Sequence, residues 1–177
     1  MSLNVGEKFP QVKVATRSGH VDLAEKWSAG PVVIAFHRIW CPFCQQAAIE
    51  LSSVAPELQR LGATTVIVYR EDADTVARTC DERQTDALCV SDPDRGLEKA
   101  VELKRFHLSR YAAFSPRRLF EARRAGARLG SMKADILQGR GTFVVDRAGR
   151  VVYVHLATTA ADIPPIDEVI NAVRAAS

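Results

Sequence analysis

The chain has 177 residues, 47% of them apolar and 25% charged, with a net charge of +3, the composition of one ordinary soluble globular domain rather than two. No charged stretch leads into an apolar core between Met1 and Lys26, and no apolar run approaches the roughly 20 residues that cross a bilayer, so no membrane contact and a cytoplasmic location are expected. Four cysteines are too few for a disulfide-stapled secreted scaffold.

In chain order, Val5 to Pro10 leads into Val12 to Thr16, whose alternation predicts a strand, followed by a Ser18-Gly19 turn and Val21-Asp22-Leu23, so that the chain opens on a hairpin or sheet edge. Val32 to Phe36 is an unbroken apolar strand of the kind buried on both faces of a parallel sheet. Gln45 to Leu61 repeats apolar residues at helical spacing, and the two together form a β-α unit. Thr64 to Tyr69 is the next buried strand, and Ala73 to Arg83 reads as a helix capped by Asp72 or Asp74. Ala87 to Val90 is a short strand ended by Ser91-Asp92-Pro93, and Arg95 to Leu103 is helical, with Ser91 or Asp92 placed to cap it.

Phe106 to Ile136 mixes a helical pattern over Arg117 to Leu129 with turn signals at Ser115-Pro116 and Gly130-Ser131, which reads as an inserted arm or lid at about 105–133. Its basic residues, Arg105, Arg110, Arg117, Arg118, Arg123, Arg124, Arg128 and Lys133, fit a solvated helical face. They accompany no base-reading module, and nucleic acid is not expected as a partner. Thr142 to Asp146, the turn 147–150 and Val151 to His155 make an antiparallel hairpin, and Pro164 to Ala175 closes the chain as a helix. A β-α-β-α order followed by a hairpin and a last helix predicts an α/β fold, a central mixed sheet with helices on both faces, in the thioredoxin-like arrangement.

The chemistry concentrates at Cys41-Pro42-Phe43-Cys44, where strand gives way to helix. Unpaired N–H donors and the positive end of the macrodipole at a helix start favour a thiolate over a thiol. A zinc site would need four ligands, and a second close Cys or His pair is missing. Cys80 and Cys89 read as small buried residues, with Cys80 alternatively a distant resolving thiol. His107 and His155 lack ligand spacing, and His37 reads as satisfying a local hydrogen bond or, if it titrates near neutrality, as aiding proton transfer.

Trp40-Cys41-Pro42-Phe43-Cys44 resembles the Trp-Cys-x-x-Cys turn of thioredoxin-fold proteins, in the version found in peroxiredoxin-like proteins of the alkyl hydroperoxide reductase and thiol-specific antioxidant (AhpC/TSA) family. Ser91 to Arg95 with the following helix, Leu137 to Asp146 with its hairpin, and Gly6 to Pro10 are similar to further segments of that family, over most of the chain except about 105–133. By resemblance to thioredoxins, Cys41 would attack and Cys44 would resolve. The peroxiredoxin pattern reverses them, with Cys41 where the family carries Thr and His37 where it carries Pro. Arg140 stands where peroxiredoxins carry an active-site Arg, and Arg38 is a second cation near the turn. Trp40 would shield the site from water.

The resemblance implies a thiol oxidoreductase reducing a hydroperoxide or a disulfide, through a Cys41–Cys44 disulfide reopened by a thioredoxin-like or low-molecular-weight thiol, with no bound cofactor and with a homodimer allowed. Two readings stand beside it: a disulfide reductase without peroxidase activity, and a redox-sensing binding module in which the dithiol only switches an interface.

Overall fold

The structure, a computed structural model, describes residues 2–106, 116–127 and 139–177. Seven strands form one mixed sheet in the order β2-β1-β5-β4-β3-β6-β7. They are β1 Lys13–Thr16, β2 Gly19–Asp22, β3 Val32–Phe36, β4 Thr64–Tyr69, β5 Leu88–Ser91, β6 Gly141–Val145 and β7 Val151–Leu156. Strands β3, β4 and β5 run parallel, and antiparallel hairpins, β1-β2 and β6-β7, close the two edges. The helices described are α1 Leu23–Ala29, α2 Pro42–Ser53, α3 Ala55–Arg60, α4 Ala73–Glu82, α5 Gly96–Ala100, α6 Pro116–Arg124 and α7 Ile166–Ala176. This is the expected α/β, thioredoxin-like architecture.

The pleat divides the apolar strands between two cores, because successive side chains of a strand point to opposite faces. Val32, Ile34 and Phe36 of β3 join Val66 and Val68 of β4 in a core closed by Leu23 and Trp27 of α1 and Leu97 of α5. Val33 and Ala35 face the other way, onto Leu51 of α2, Leu58 of α3 and Val169 and Val173 of α7. Helices therefore cover both faces, and α2 starts at the carboxyl end of β3. None of the helices described is long and apolar enough to cross a membrane.

Several expectations need correction. The helix expected over Gln45 to Leu61 is two: α2 ends at Ser53 and α3 begins at Ala55, because Pro56 has no N–H to continue the ladder. Leu23, expected at a strand end, opens helix α1, capped by the Asp22 carboxylate accepting from Ala24 N–H at 2.8 Å. Helix α5 is capped neither by Ser91 nor by Asp92 but by Arg95 in a left-handed conformation (φ 60°). Asp92 is still used there, accepting from the Glu98 N–H at 3.0 Å.

The cap of α4 is Asp72, which accepts from Thr75 N–H at 2.9 Å. Within the expected arm, α6 carries Arg117, Arg118, Arg123 and Arg124 exposed and Ala122 buried, while 107–115 and 128–138, with His107, Arg110, Arg128 and Lys133, lie outside the described residues.

Candidate active site

Cys41 is the N-cap of α2 in extended conformation, and Pro42 follows at the first helical position, where its missing N–H is no loss. Cys44 lies one helical turn away, and the two thiols are hydrogen-bonded to each other. Both sulfurs are free thiols, and Cys41 and Cys44 are only 2% and 1% exposed. They pack with Trp40, Phe43, Ala122 and Ala127 from the region of α6, and Ala160 and Ala161 from the loop after β7.

Arg140 arrives from the loop before β6. Its Nη1 donates to Cys44 Sγ at 3.5 Å, and its Nη2 donates to the carbonyls of Ala160 (2.5 Å), Asp162 (2.8 Å) and Thr159 (3.4 Å). That cradle is pinned in turn. The Asp162 carboxylate accepts from Thr158 N–H and Oγ1–H at 2.7 and 2.9 Å and pairs with His155 Nε2 at 3.1 Å, so His155 has a place in the site that its sequence spacing did not reveal.

Gly139 allows the approach. A Cβ there would lie 1.6 Å from the Lys104 carbonyl oxygen, so no other residue fits without moving backbone.

Arg38 is a second buried guanidinium. Its Nη2 donates to the Gly139 carbonyl at 3.1 Å, and its Cζ lies 5.7 Å from the Trp40 ring centroid and 5.8 Å from that of Phe106. The structure thus brings all five candidates, Cys41, Cys44, Arg140, Trp40 and Arg38, into one buried cluster. Arg38 is joined to the Arg140 loop and is not strand-end surface.

Electrostatics separate the two thiols. Burial opposes ionisation of Cys44, but the hydrogen bond donated by Cys41, followed by the charges of Arg140 and Arg38, outweighs it and holds Cys44 well below the ordinary thiol range. Cys41 is pushed the other way, first by donating its proton to Cys44 and then by burial. Arg140 is buried too, and although burial alone would weaken its charge, Cys44, Cys41 and Asp162 hold it firmly protonated.

His37 was expected to satisfy a hydrogen bond or to titrate near neutrality. Burial lowers its pKa to about 4, with Cys44 pulling up and Arg140 and Arg38 pushing down, so at neutral pH it is an uncharged ring and the guanidinium groups supply the positive charge beside Cys44. Its Nδ1 has no partner among the described residues. Tyr69 packs edge-on to it at 6.4 Å, its hydroxyl pKa raised by burial.

The reading of Cys80 and Cys89 as small buried residues holds for Cys80, which is buried, and fails for Cys89, which is half-buried, and neither is a free thiol. They are joined in a disulfide across α4 and β5, with Cα atoms 6.7 Å apart. Nothing in the local sequence of either residue states that α4 lies back on β5.

The sequence model of the AhpC/TSA family matches residues 5–154. The chain belongs to the AhpC/TSA family. As a member it is a peroxiredoxin-like thiol oxidoreductase.

Solved structures share the AhpC/TSA fold at low identity. Peroxidoxin BcpB from Mycobacterium tuberculosis is 19% identical, covering 99% of each chain with a TM-score of 0.71. A cysteine-to-serine mutant of PrxQ from Xylella fastidiosa is 18% identical over 99% of this chain and 98% of that one, with a TM-score of 0.73. A protein described as a putative thiol:disulfide interchange protein DsbE from Chlorobium tepidum is 18% identical over 99% of each chain, with a TM-score of 0.68. No curated protein matches this sequence.

Proposed function

We propose that this protein reduces hydroperoxides, with Cys44 as the attacking thiolate, Cys41 as its proton donor and resolving thiol, and Arg140 as the cation that holds the thiolate and polarises the O–O bond. One observation carries the reading: the Arg140 Nη1–H donates to the Cys44 sulfur at 3.5 Å. Roles are thereby ordered as in the peroxiredoxin pattern, with Cys41 filling by its S–H the place of a hydroxyl donor.

The steps follow from the residues. The Cys44 thiolate attacks the distal oxygen, the O–O bond breaks, and the alcohol or water leaves with one proton, giving a Cys44 sulfenic acid. Cys41 then attacks the sulfenic sulfur, water departs, and a Cys41–Cys44 disulfide remains. Arg140 stabilises negative charge as it moves from sulfur to the departing oxygen, in a site where little water screens it.

Entry from the side of Arg140 is supported by a cleft of about 350 Å³ lined by Lys104, Arg105, Phe106, Arg140, Leu156 and Thr158. Trp40, packed with both thiols, shields them from water, Arg38 adds positive charge beside Cys44, and the chain works as one domain. A thioredoxin-like or low-molecular-weight thiol restores the dithiol in the cytoplasm.

The test is to mix fully reduced protein with one equivalent of hydrogen peroxide, stop at successive times and map cysteine oxidation. Rapid oxidation of Cys44 in wild type and in Cys41→Ser is expected. Oxidation no faster than that of an ordinary thiol, together with reduction of insulin disulfides, would replace peroxidase by disulfide reductase.

A further inference from the structure

We propose that Cys80 and Cys89 are a second redox centre, the port through which an external dithiol passes electrons to the buried Cys41–Cys44 pair. This rests on the reading of Cys41 and Cys44 as the reacting pair.

The two pairs differ in access. A reductant works by thiolate attack along the S–S axis and needs a reachable sulfur. Cys41 and Cys44, at 2% and 1% exposure, offer none without movement, whereas Cys89 is only half-buried. The pairs also share a neighbourhood. Cys80 packs with Ala48, which lies one turn beyond Cys44 on α2, and with Tyr69, the ring beside His37, and Ile39 and Cys89 pack onto the same cluster.

The disulfide closes the loop 81–88, and Arg83 in that loop donates to the Ile39 carbonyl at 2.6 Å, two residues before Cys41. One strap therefore joins the second pair to the turn that carries the first.

The direction of electron flow follows from the surroundings of each sulfur. A dithiol with a stabilised thiolate makes its own disulfide the stronger oxidant. Cys44 has the Arg140 guanidinium and the Cys41 S–H, while Cys80 lies among Ala48, Ile67 and Val76, which give a thiolate no support. Electrons then run from Cys80 and Cys89 to Cys41 and Cys44. A disulfide in a reducing compartment is more often catalytic than structural.

The exchange balances. The external dithiol opens Cys80–Cys89 and leaves as its own disulfide. One of the two freed thiols, as thiolate, attacks the Cys41–Cys44 disulfide and displaces one sulfur. Its partner resolves the mixed disulfide, reclosing Cys80–Cys89 and leaving Cys41 and Cys44 reduced, with two electrons and two protons moved per cycle. The first turn of α2 must open for the sulfurs to meet.

To test this, both pairs are oxidised with excess diamide, the excess is removed, one equivalent of dithiothreitol is added, and samples are quenched in acid, alkylated and mapped. Free Cys80 and Cys89 are expected first, then their loss as free Cys41 and Cys44 accumulate. In C80S/C89S, reduction of the Cys41–Cys44 disulfide by dithiothreitol should be at least about tenfold slower. Opening of Cys41–Cys44 with no earlier opening of Cys80–Cys89, a persistent Cys80–Cys89 dithiol beside a closed Cys41–Cys44, or a variant reduced as fast as wild type would overturn the relay. Migration of thiols in this experiment without peroxide oxidation of Cys44 would support the relay and sink the peroxidase reading alone.

Discussion

Arg140 donates to the Cys44 sulfur through one nitrogen at 3.5 Å while three backbone carbonyls, of Thr159, Ala160 and Asp162, hold the other. The cation is fixed by neutral peptide groups, and the Asp162 carboxylate acts on it through its charge without a direct bond. Asp162 contributes its carbonyl to Arg140 and spends its carboxylate on Thr158 and His155.

Replacing that cation should raise the Cys44 pKa. A lowered thiol pKa means that the reactive thiolate is fully present above the lowered value and is lost as pH falls through it. We expect the peroxide rate constant of the wild type to be flat across neutral pH, and that of Arg140→Met to fall by about 10²- to 10³-fold at pH 7, with its pH dependence moved upward. Arg140→Lys should lie between them, since a point charge replaces only part of a fixed fork. Stopped-flow tryptophan fluorescence against pH measures both quantities.

Cys41 has two roles that different substitutions separate. Cys41→Ser keeps a hydrogen-bond donor to Cys44 but cannot close a disulfide, so Cys44 should still react with peroxide and then overoxidise to the sulfinic acid. Cys41→Ala removes the donor as well, and the Cys44 pKa should rise toward the ordinary thiol range because the largest effect favouring its thiolate is gone. Mass spectrometry of the product and thiolate absorbance against pH check the two outcomes.

Gly139→Ala brings a methyl group against the Lys104 carbonyl. Forcing backbone apart in a packed region destabilises by roughly 1–3 kcal/mol, and here it moves the loop that carries Arg140. Urea unfolding should show that loss, and the Cys44 pKa should rise in the same variant. A variant with wild-type stability and thiol titration would contradict the geometry.

His37 links stability to pH. Its pKa is near 4 when folded against 6.5 when free, so between those values the unfolded chain binds more protons and stability falls as pH falls. A shift of that size corresponds to roughly 3 kcal/mol. The stability difference between wild type and His37→Phe should therefore change by about that amount between pH 7.5 and pH 4, measured by urea unfolding at each pH.

Much of the fold was legible because the signals are local. The strands Val32–Phe36 and Thr64–Tyr69 were read with the bounds they have, since unbroken β-branched and apolar runs have few alternatives. The β6-β7 hairpin announced itself by alternation around Asp146 to Gly149. Helix boundaries were harder. The break before α3 depended on Pro56, and the cap of α5 on a left-handed Arg95 that no composition rule favours.

The site was legible in part. Cys41 and Cys44 stand out by spacing, and Arg140 and Arg38 by resemblance or nearness, but Gly139, His155 and Asp162 enter only through contacts made across the fold. Glycines on both sides of Arg140 were a readable sign of a tightly approached loop.

By itself, then, the sequence determined the sheet, the helix that begins at the two thiols and the class of chemistry they serve, because strand pairing and helix initiation answer to residues a few positions apart. Which sulfur meets the buried cation was decided by tertiary structure, through a guanidinium that lies 96 residues from Cys44 along the chain. The joining of Cys80 to Cys89 and the approach of Arg38 to the Trp40 and Phe106 rings were decided in the same way. Electrostatic and sulfur–sulfur interactions depend on distance in space, and that distance exists only once α2, β5 and the β6 loop have packed on a common sheet.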